Sequence, residues 1–293
     1  MKSFGRILTA MVTPFHDDLS VNYGAAADLA KYLVANGSDG LVVTGSTGEA
    51  ATLDNDEKLK LYSTVLDAVG DKATVIAGTG SNDTRASIYL TQAAEKLRVH
   101  GAMLVGPYYN KPPQEGFYQH FKAISQITDL PLIIYNVPGR TASNILPSTV
   151  ARLAEIKNIV AIKEASGNLE QVSEIIRSTP KDFLVYSGDD SLALPILAVG
   201  GVGIISVAAH IVGNRMQEMI AAFVGNDLVK AQAIQSELLP FFRMMFITTN
   251  PIPVKTAVNI LGLHTGSFRL PLIPPTASEL EQIKLIMQKM NII

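Results

Sequence analysis

The chain alternates short apolar segments with helical patterns, and this alternation repeats eight times. The predicted strands cover residues 7–12, 40–44, 74–77, 102–105, 131–135, 159–163, 183–186 and 202–207. Short apolar runs of this kind are typical of parallel strands buried on both faces. An open, doubly wound sheet also alternates strands and helices. The count of eight, and the polar residues that follow the strands, favour an α/β fold of the closed (β/α)8 TIM barrel type.

Beyond residue 225 the pattern becomes purely helical. Helices are predicted around residues 228–239, 252–261 and 280–290, and the prolines of Asn250-Pro251-Ile252-Pro253 separate the first two. We therefore predict a catalytic barrel over residues 1–224 and a C-terminal three-helix appendage over residues 225–293.

Composition excludes several classes of function. The 293 residues include no cysteine, which excludes disulfides, thiolate chemistry and cysteine-bound zinc. The five histidines show no HExxH spacing, so no metal site is predicted. A formal net charge of -2 without a basic block gives no indication of a nucleic-acid or membrane partner. No secretion signal is apparent, and a cytoplasmic location is expected.

One uncharged segment, residues 192–212, is long enough to resemble a membrane span. It is interrupted by Pro195 and by the pair Gly200-Gly201. Glycine pairs commonly separate secondary-structure elements. We predict a buried helix, a glycine turn and the eighth strand here, and no membrane span.

The predicted sixth strand ends in Lys163. Since strand side chains alternate, Lys163 is expected to share a face with Ala161 and Ile159. An amine that is desolvated at a buried strand end has a lowered pKa, and a neutral amine can attack a ketone to form a Schiff base. The alternative is a strand-end lysine that reaches solvent, which is the usual state of a charged side chain.

Three further strand ends carry polar groups. Tyr135 ends the fifth strand, where its phenol could shuttle protons beside Lys163; the alternative is a buried ring with a solvated hydroxyl. Arg140 follows on a loop and suits bidentate capture of a carboxylate, unless it is only a surface charge. Tyr108 and Tyr109 follow the fourth strand. Either a pocket wall or a subunit interface would account for these two rings.

The second strand is followed by Gly45-Ser46-Thr47-Gly48-Glu49. Such a turn offers hydroxyl and backbone N–H groups to a small anion, including a carboxylate. The alternative is a helix start in which Ser46 and Glu49 form a capping box. The turn lacks the Gly-Lys-Ser/Thr of a nucleotide-binding loop, so nucleotide binding is disfavoured.

Taken together, these motifs resemble the dihydrodipicolinate synthase and N-acetylneuraminate lyase family of pyruvate-dependent class I aldolases, and the resemblance covers nearly the whole chain. It rests on Thr13-Pro14-Phe15, Gly45-Ser46-Thr47-Gly48-Glu49, Gly78-Thr79-Gly80, Pro107-Tyr108-Tyr109-Asn110, Tyr135-Asn136-Val137-Pro138-Gly139-Arg140-Thr141, Lys163-Glu164, Ser187-Gly188-Asp189-Asp190, Ile205-Ser206 and Arg269-Leu270-Pro271-Leu272. The resemblance implies a (β/α)8 barrel with a helical C-terminal region, usually assembled as a homotetramer that is a dimer of dimers.

The resemblance also implies an activity. Family members of the synthase type condense pyruvate with L-aspartate 4-semialdehyde to give 4-hydroxy-tetrahydrodipicolinate, on the route to lysine and diaminopimelate. They use a covalent Schiff base with pyruvate and no separate cofactor. The resemblance implies that Lys163 forms the Schiff base and that Tyr135 donates and accepts protons. Ser46 and a neighbouring subunit's Tyr109 would complete a proton relay. Pyruvate would be held by Thr47, Gly188 and the backbone of Ile205, and Arg140 would bind the carboxylate of the semialdehyde.

One position departs from the synthase pattern, which usually has threonine where this chain has Ser46. Serine keeps the hydroxyl but lacks the methyl group that restricts χ1. The alternatives are therefore a pyruvate-releasing aldolase acting on a sugar acid, or a barrel that binds a carboxylate without turnover. Arg140 favours the synthase. The resemblance further implies weak or absent feedback inhibition by lysine, because Asn55, Lys58 and Ala86 replace the two histidines and the glutamate of bacterial lysine-sensitive members.

Overall fold

The computed structural model describes residues 4–293. Eight parallel strands close into a barrel in which each strand pairs with the next and β8 pairs with β1. The strands are β1 Ile7–Ala10, β2 Gly40–Val43, β3 Thr74–Gly78, β4 Gly101–Val105, β5 Leu132–Asn136, β6 Ile159–Glu164, β7 Leu184–Ser187 and β8 Gly203–Ser206. The predicted (β/α)8 TIM barrel is confirmed, and every predicted strand is present with bounds shifted by a few residues at most.

Helices connect the strands and continue after the barrel. They are α1 Tyr23–Ala35, α2 Asn55–Val69, α3 Thr84–Lys96, α4 Gln114–Ser125, α5 Pro138–Thr141, α6 Pro147–Ala154, α7 Leu169–Ser178, α8 Ala193–Ala198, α9 Ala209–Val224, α10 Leu228–Met244, α11 Ile252–Ile260 and α12 Ala277–Lys289. Local sequence explains several starts. Asp54 and Thr276, for example, form capping boxes at α2 and α12 with the glutamates three residues later.

Two apolar layers hold these elements together. The barrel interior is filled by side chains such as Val42, Ile76, Ile133 and Ile205. A larger cluster lies between the strands and the surrounding helices, where the outward-facing strand residues pack. Because both faces of every strand are covered, the strands read as continuous apolar runs rather than as alternating ones.

The sixth strand contains one irregularity. Leu132 pairs with Ile159 but Ile133 pairs with Ala161, so Val160 is an extra residue in β6. Two residues of a bulged strand oppose one of its partner, and the alternation of side chains shifts there. Ile159 therefore packs in the outer cluster, while Val160 and Ala161 both join the interior. The expectation that Ile159 shares the face of Lys163 is wrong for this reason, whereas the expectation for Ala161 is correct.

The uncharged segment 192–212 folds as α8, a glycine turn, β8 and the start of α9. Within residues 4–293, no helix combines the length and the apolar character that a bilayer crossing requires. The three predicted C-terminal helices are α10, α11 and α12. Their treatment as a unit beginning at residue 225 stays a prediction, since α10 packs directly against the last barrel helix, α9.

Candidate active site

A cavity of ≈ 160 Å³ lies at the carboxyl ends of the strands. Its lining includes Ser46, Thr47, Tyr135, Lys163 and Gly188, and it draws residues from the carboxyl ends of six strands, namely β1, β2, β5, β6, β7 and β8. The arrangement follows from the topology, because the strands are parallel and the loops after them meet at one end of the barrel. A wider hollow of ≈ 820 Å³ opens near Lys157, before β6, and neither Lys163 nor Tyr135 contributes to it.

Lys163 reaches this cavity from β6 and is 4% exposed. Its Nζ lies 4.4 Å from the centroid of the Tyr135 ring. Burial lowers the pKa of Lys163 to about 8; the negative charge of Asp190 opposes this effect and the positive charge of Arg140 adds to it. The shift has the expected direction and cause, and it leaves a substantial neutral fraction of the amine near neutral pH.

Tyr135 faces Lys163 across the β5–β6 pair, where the two residues are in register. Burial raises the pKa of Tyr135 to about 12, with a smaller opposing effect from Arg140. The phenol is therefore protonated at neutral pH, as a proton donor must be. Arg140 lies in the short helix α5 rather than in an irregular loop, and it is exposed beside the cavity.

The turn after β2 forms a 3-10 helix over Ser46–Gly48 without a side-chain cap. Ser46 is exposed beside the cavity, whereas Thr47 is buried. The alternative of a capping box between Ser46 and Glu49 is wrong, because the Glu49 carboxylate accepts a hydrogen bond from Lys255 Nζ at 2.8 Å instead. Glu49 has a left-handed backbone with φ of 56°, and this contact helps to hold it there.

Gly188 is required by a close approach. A Cβ at this position would lie 2.6 Å from the Cβ of Ala165 and 3.1 Å from the Cε of Lys163. Any side chain would therefore collide with Ala165 and crowd the arm of the lysine. Ile205 pairs with Leu8 in the barrel wall and is fully buried. It is not among the residues that line the cavity.

Tyr109 lies apart from these groups. It is 89% exposed and has a left-handed backbone with φ of 72°. Tyr108 is less exposed and lines a second cavity of ≈ 460 Å³ that shares Ser46, Tyr135 and Arg140 with the first. Within a single protomer Tyr109 does not line either cavity, so its role in a relay stays a prediction about the assembly.

Sequence reasoning missed three buried polar residues near the site. Asn250 lines both cavities, and its Nδ2 donates to Thr47 Oγ1 at 2.9 Å. Lys255 pairs with Glu49. Glu164, next to Lys163, accepts hydrogen bonds from Asn136 and Gln171 and from the Ser166 backbone, which hold it beneath the site. The partners of Asn250 and Lys255 are some 200 residues away, and no local pattern indicates such pairs.

Among residues 4–293, no group of three or more histidine, aspartate or glutamate side chains is arranged to hold a metal ion. The groups that meet at the cavity are instead an amine, a phenol, hydroxyls and an adjacent guanidinium. At the strand ends of a (β/α)8 barrel, such a set is suited to chemistry on a carbonyl substrate through the lysine amine.

Comparisons with known proteins identify the family. The model of the dihydrodipicolinate synthetase family matches residues 3–290. A relative from Desulforamulus reducens, named 4-hydroxy-tetrahydrodipicolinate synthase, is 57% identical over 99% of this chain and 98% of its own. A crystal structure of dihydrodipicolinate synthase from Bacillus anthracis is 51% identical, covers 98% of this chain and 99% of its own, and superposes with a TM-score of 0.96. The structure from Cyanidioschyzon merolae, with lysine bound, is 47% identical with a TM-score of 0.97, and 99% of each chain is covered.

The chain therefore belongs to the dihydrodipicolinate synthetase family, and it is an enzyme. The resemblance inferred from its motifs is confirmed.

Proposed function

We propose that the chain condenses pyruvate with L-aspartate 4-semialdehyde through a Schiff base on Lys163, giving 4-hydroxy-tetrahydrodipicolinate for lysine and diaminopimelate biosynthesis. The observation that carries the proposal is the Lys163 amine, which is buried, borders the cavity and has a pKa of about 8. The name of the relatives, 4-hydroxy-tetrahydrodipicolinate synthase, supports the choice of reaction.

The reaction begins when the neutral Lys163 amine attacks the ketone carbon of pyruvate. Tyr135, with its phenol protonated, donates a proton to the carbinolamine oxygen, and water leaves to give the imine. Ser46 and the neighbouring subunit's Tyr109 relay protons between Tyr135 and solvent. Thr47, Gly188 and the backbone of Ile205 hold pyruvate in place.

Loss of a methyl proton converts the imine into an enamine, whose carbon attacks the aldehyde of the second substrate. Arg140, beside the cavity, binds the carboxylate of that substrate in a bidentate manner. The amino group of the semialdehyde then adds to the imine carbon and displaces the lysine amine, which closes the ring and frees Lys163. The covalent bond to Lys163 activates pyruvate, so no separate cofactor takes part.

The assembly proposed for the chain is a homotetramer built as a dimer of dimers in the cytoplasm. The exposed tyrosine pair after β4 supports a subunit interface next to the site, because rings as exposed as Tyr109 gain most from burial against another chain. No nucleic-acid or membrane partner is proposed.

The test combines trapping with product analysis. Borohydride added with pyruvate is expected to reduce an adduct on Lys163, located by intact mass and peptide mapping. Aspartate semialdehyde added to pyruvate is expected to yield the cyclic product, whereas sugar acids are expected not to be cleaved. Labelling at another residue would contradict the Schiff base, and cleavage of a sugar acid with no condensation would favour the lyase alternative.

Lysine is expected to inhibit weakly or not at all. In lysine-sensitive members of the family, the effector binds near the asparagine and the tyrosine that match Asn82 and Tyr108. Here the Asn82 amide donates to the Tyr108 carbonyl, and Lys58 lines the ≈ 460 Å³ cavity as a half-buried cation. Ala86 supplies no carboxylate for the ammonium group of an effector. Initial rates at saturating pyruvate should show half-inhibition only above about 1 mM lysine, which corresponds to roughly 4 kcal/mol of binding. The structure from Cyanidioschyzon merolae, by contrast, has lysine bound. Half-inhibition of this chain below about 1 mM lysine would contradict the expectation.

A further inference from the structure

Asn250 connects the two groups that are proposed to bind the two substrates. Its side-chain Nδ2 donates to Thr47 Oγ1 at 2.9 Å, and its backbone carbonyl accepts from Arg140 Nη2 at 3.2 Å. Asn250 is 5% exposed and lines the cavity beside Lys163. The segment around it was predicted only as a break between two helices.

The direction of the first hydrogen bond fixes the state of the Thr47 hydroxyl. An amide nitrogen only donates, whereas a hydroxyl has one hydrogen to donate and two lone pairs to accept with. Thr47 Oγ1 must therefore accept from Asn250. No acceptor among residues 4–293 takes the hydrogen of the Thr47 hydroxyl, which remains available at the cavity.

The second observation is an unpaired atom. Asn250 Oδ1 is buried and has no hydrogen-bond partner within residues 4–293. A buried acceptor without a partner is costly, and an apolar side chain would avoid the cost. The amide of Asn250 therefore carries a cost to stability, as expected of a residue that serves the site.

We propose that Asn250 is a positioning residue: its amide holds the Thr47 hydroxyl as a hydrogen-bond donor toward the carboxylate of pyruvate. The inference rests on the proposed function. The side chain and the backbone of Asn250 have different roles in this proposal. The side chain acts on pyruvate through Thr47, whereas the backbone carbonyl accepts from Arg140. A substitution at position 250 removes the side-chain amide but leaves the carbonyl in place.

The main test compares two substitutions. Asn250→Ala removes the donor and is expected to raise the KM for pyruvate about tenfold, the scale of one lost hydrogen bond at 1.4 kcal/mol per decade. Asn250→Asp keeps the shape but supplies an acceptor, which takes the Thr47 hydrogen and adds a negative charge, so its effect should be larger, roughly 100-fold. The KM for aspartate semialdehyde is expected to stay within about threefold in Asn250→Ala.

A double-mutant cycle with Thr47→Val checks the route. If Asn250 acts through the hydroxyl, Asn250→Ala should add little to the pyruvate KM once Thr47→Val has removed that hydroxyl. Asn158→Ala is the matched control, because it removes an amide whose Nδ2 donates to the Thr128 carbonyl at 2.8 Å at the opposite end of the barrel. It is expected to lower the melting temperature without changing either KM.

The outcomes separate the two proposals. Borohydride trapping of pyruvate by the wild-type protein is measured first, and its absence would reject the proposed function. If the wild-type protein traps pyruvate, three results would each overturn the role of Asn250: an unchanged pyruvate KM, fully additive effects with Thr47→Val, or equal increases in both KM values.

Discussion

Within residues 4–293 two lysines are buried, and they differ in what surrounds them. Lys163 and Lys255 are 4% and 0% exposed, and burial lowers the pKa of each to about 8. Lys255 pairs with Glu49 at 2.8 Å and lies 4.1 Å from the centroid of the Phe15 ring. Lys163 borders a cavity and forms no ion pair with any carboxylate in residues 4–293.

The comparison shows that a lowered pKa does not by itself define a nucleophile. Both amines lose hydration, but only Lys163 has space in front of it and a phenol beside it. The amine of Lys255 is held in place by a carboxylate and by aromatic rings, and it lines neither cavity at the strand ends. Accessibility and the absence of an ion-pair partner therefore distinguish Lys163, the proposed nucleophile, from Lys255.

The largest expected effect comes from exchanging each lysine for methionine. Lys163→Met should lower kcat by roughly 10³-fold or more, the scale of losing a nucleophile, and should abolish borohydride trapping of pyruvate. The Lys255→Met protein should still trap pyruvate on Lys163, because the Lys255 amine lines neither cavity and is not expected to meet the substrate. Peptide mapping of the trapped adduct shows which lysine carries the reduced pyruvate. Trapping on Lys255 in the Lys163→Met protein would contradict the distinction.

The second effect concerns stability. Glu49→Gln leaves the Lys255 ammonium buried without its partner, which should lower the free energy of unfolding by about 3–5 kcal/mol. Combining Glu49→Gln with Lys255→Met removes the unpaired charge and should recover much of that loss. Denaturant or thermal unfolding measures both changes.

The matched control is Glu115→Gln, in a pair with Arg152 whose side chains are about half exposed. Such surface pairs contribute about 0–1 kcal/mol, so this variant should unfold almost like the wild type. An equal loss in both glutamine variants would show that the buried pair has no special importance.

The third effect concerns the proposed proton relay. Its member Ser46 lines the same cavity as Lys163, whereas Lys255 does not line that cavity. Ser46→Ala should lower turnover by roughly 10²-fold, the scale of lost acid–base assistance. Ser46→Thr keeps the hydroxyl and adds the methyl group of the usual threonine, so it should be nearly neutral. Steady-state kcat with both substrates is the measurement. Full activity of Ser46→Ala would remove Ser46 from the relay.

The smallest effect is a dependence on pH. A small amine-acylating reagent reacts with the neutral form of Lys163, so the labelling rate should rise about tenfold per pH unit below the pKa of about 8 and level off above it. Bound pyruvate should protect the residue. Lys255 should not be labelled at any pH at which the protein is folded. Mass spectrometry of the labelled peptides follows both lysines in one sample, and equal labelling of the two would contradict the comparison.

Much of the fold was predictable because its signals are local. The apolar strands, the eightfold alternation and the polar strand ends placed Lys163 and Tyr135 side by side, and the structure pairs them in register. Ile159 was misplaced because the extra residue Val160 interrupts the alternation, and nothing in an apolar run marks a bulge. The resemblance supplied the roles of Ser46 and Tyr109, which stay predictions.

The parts of the site that were missed depend on distant partners. The spacing of Ser46 and Glu49 fits a capping box, but a lysine 206 positions later takes the carboxylate. Asn250 immediately precedes Pro251 and Pro253, and this sequence was interpreted only as a helix break. Nothing in it indicated the contact with Thr47, 203 positions earlier. Patterns within a window of ten or twenty residues carry no information about such pairs.

These distant contacts have a consequence for synthesis of the chain. Glu49 meets Lys255 206 residues later and the Arg269 backbone 220 residues later. A ribosome adds about 5–20 residues per second, so roughly 10–40 s pass between translation of Glu49 and of Lys255. Throughout that interval the nascent barrel holds a carboxylate without its cation, and the turn that carries Thr47 lacks its anchor. If Asn250 positions Thr47 as proposed, a product truncated before residue 250 is expected to bind pyruvate poorly even when all eight strands are present.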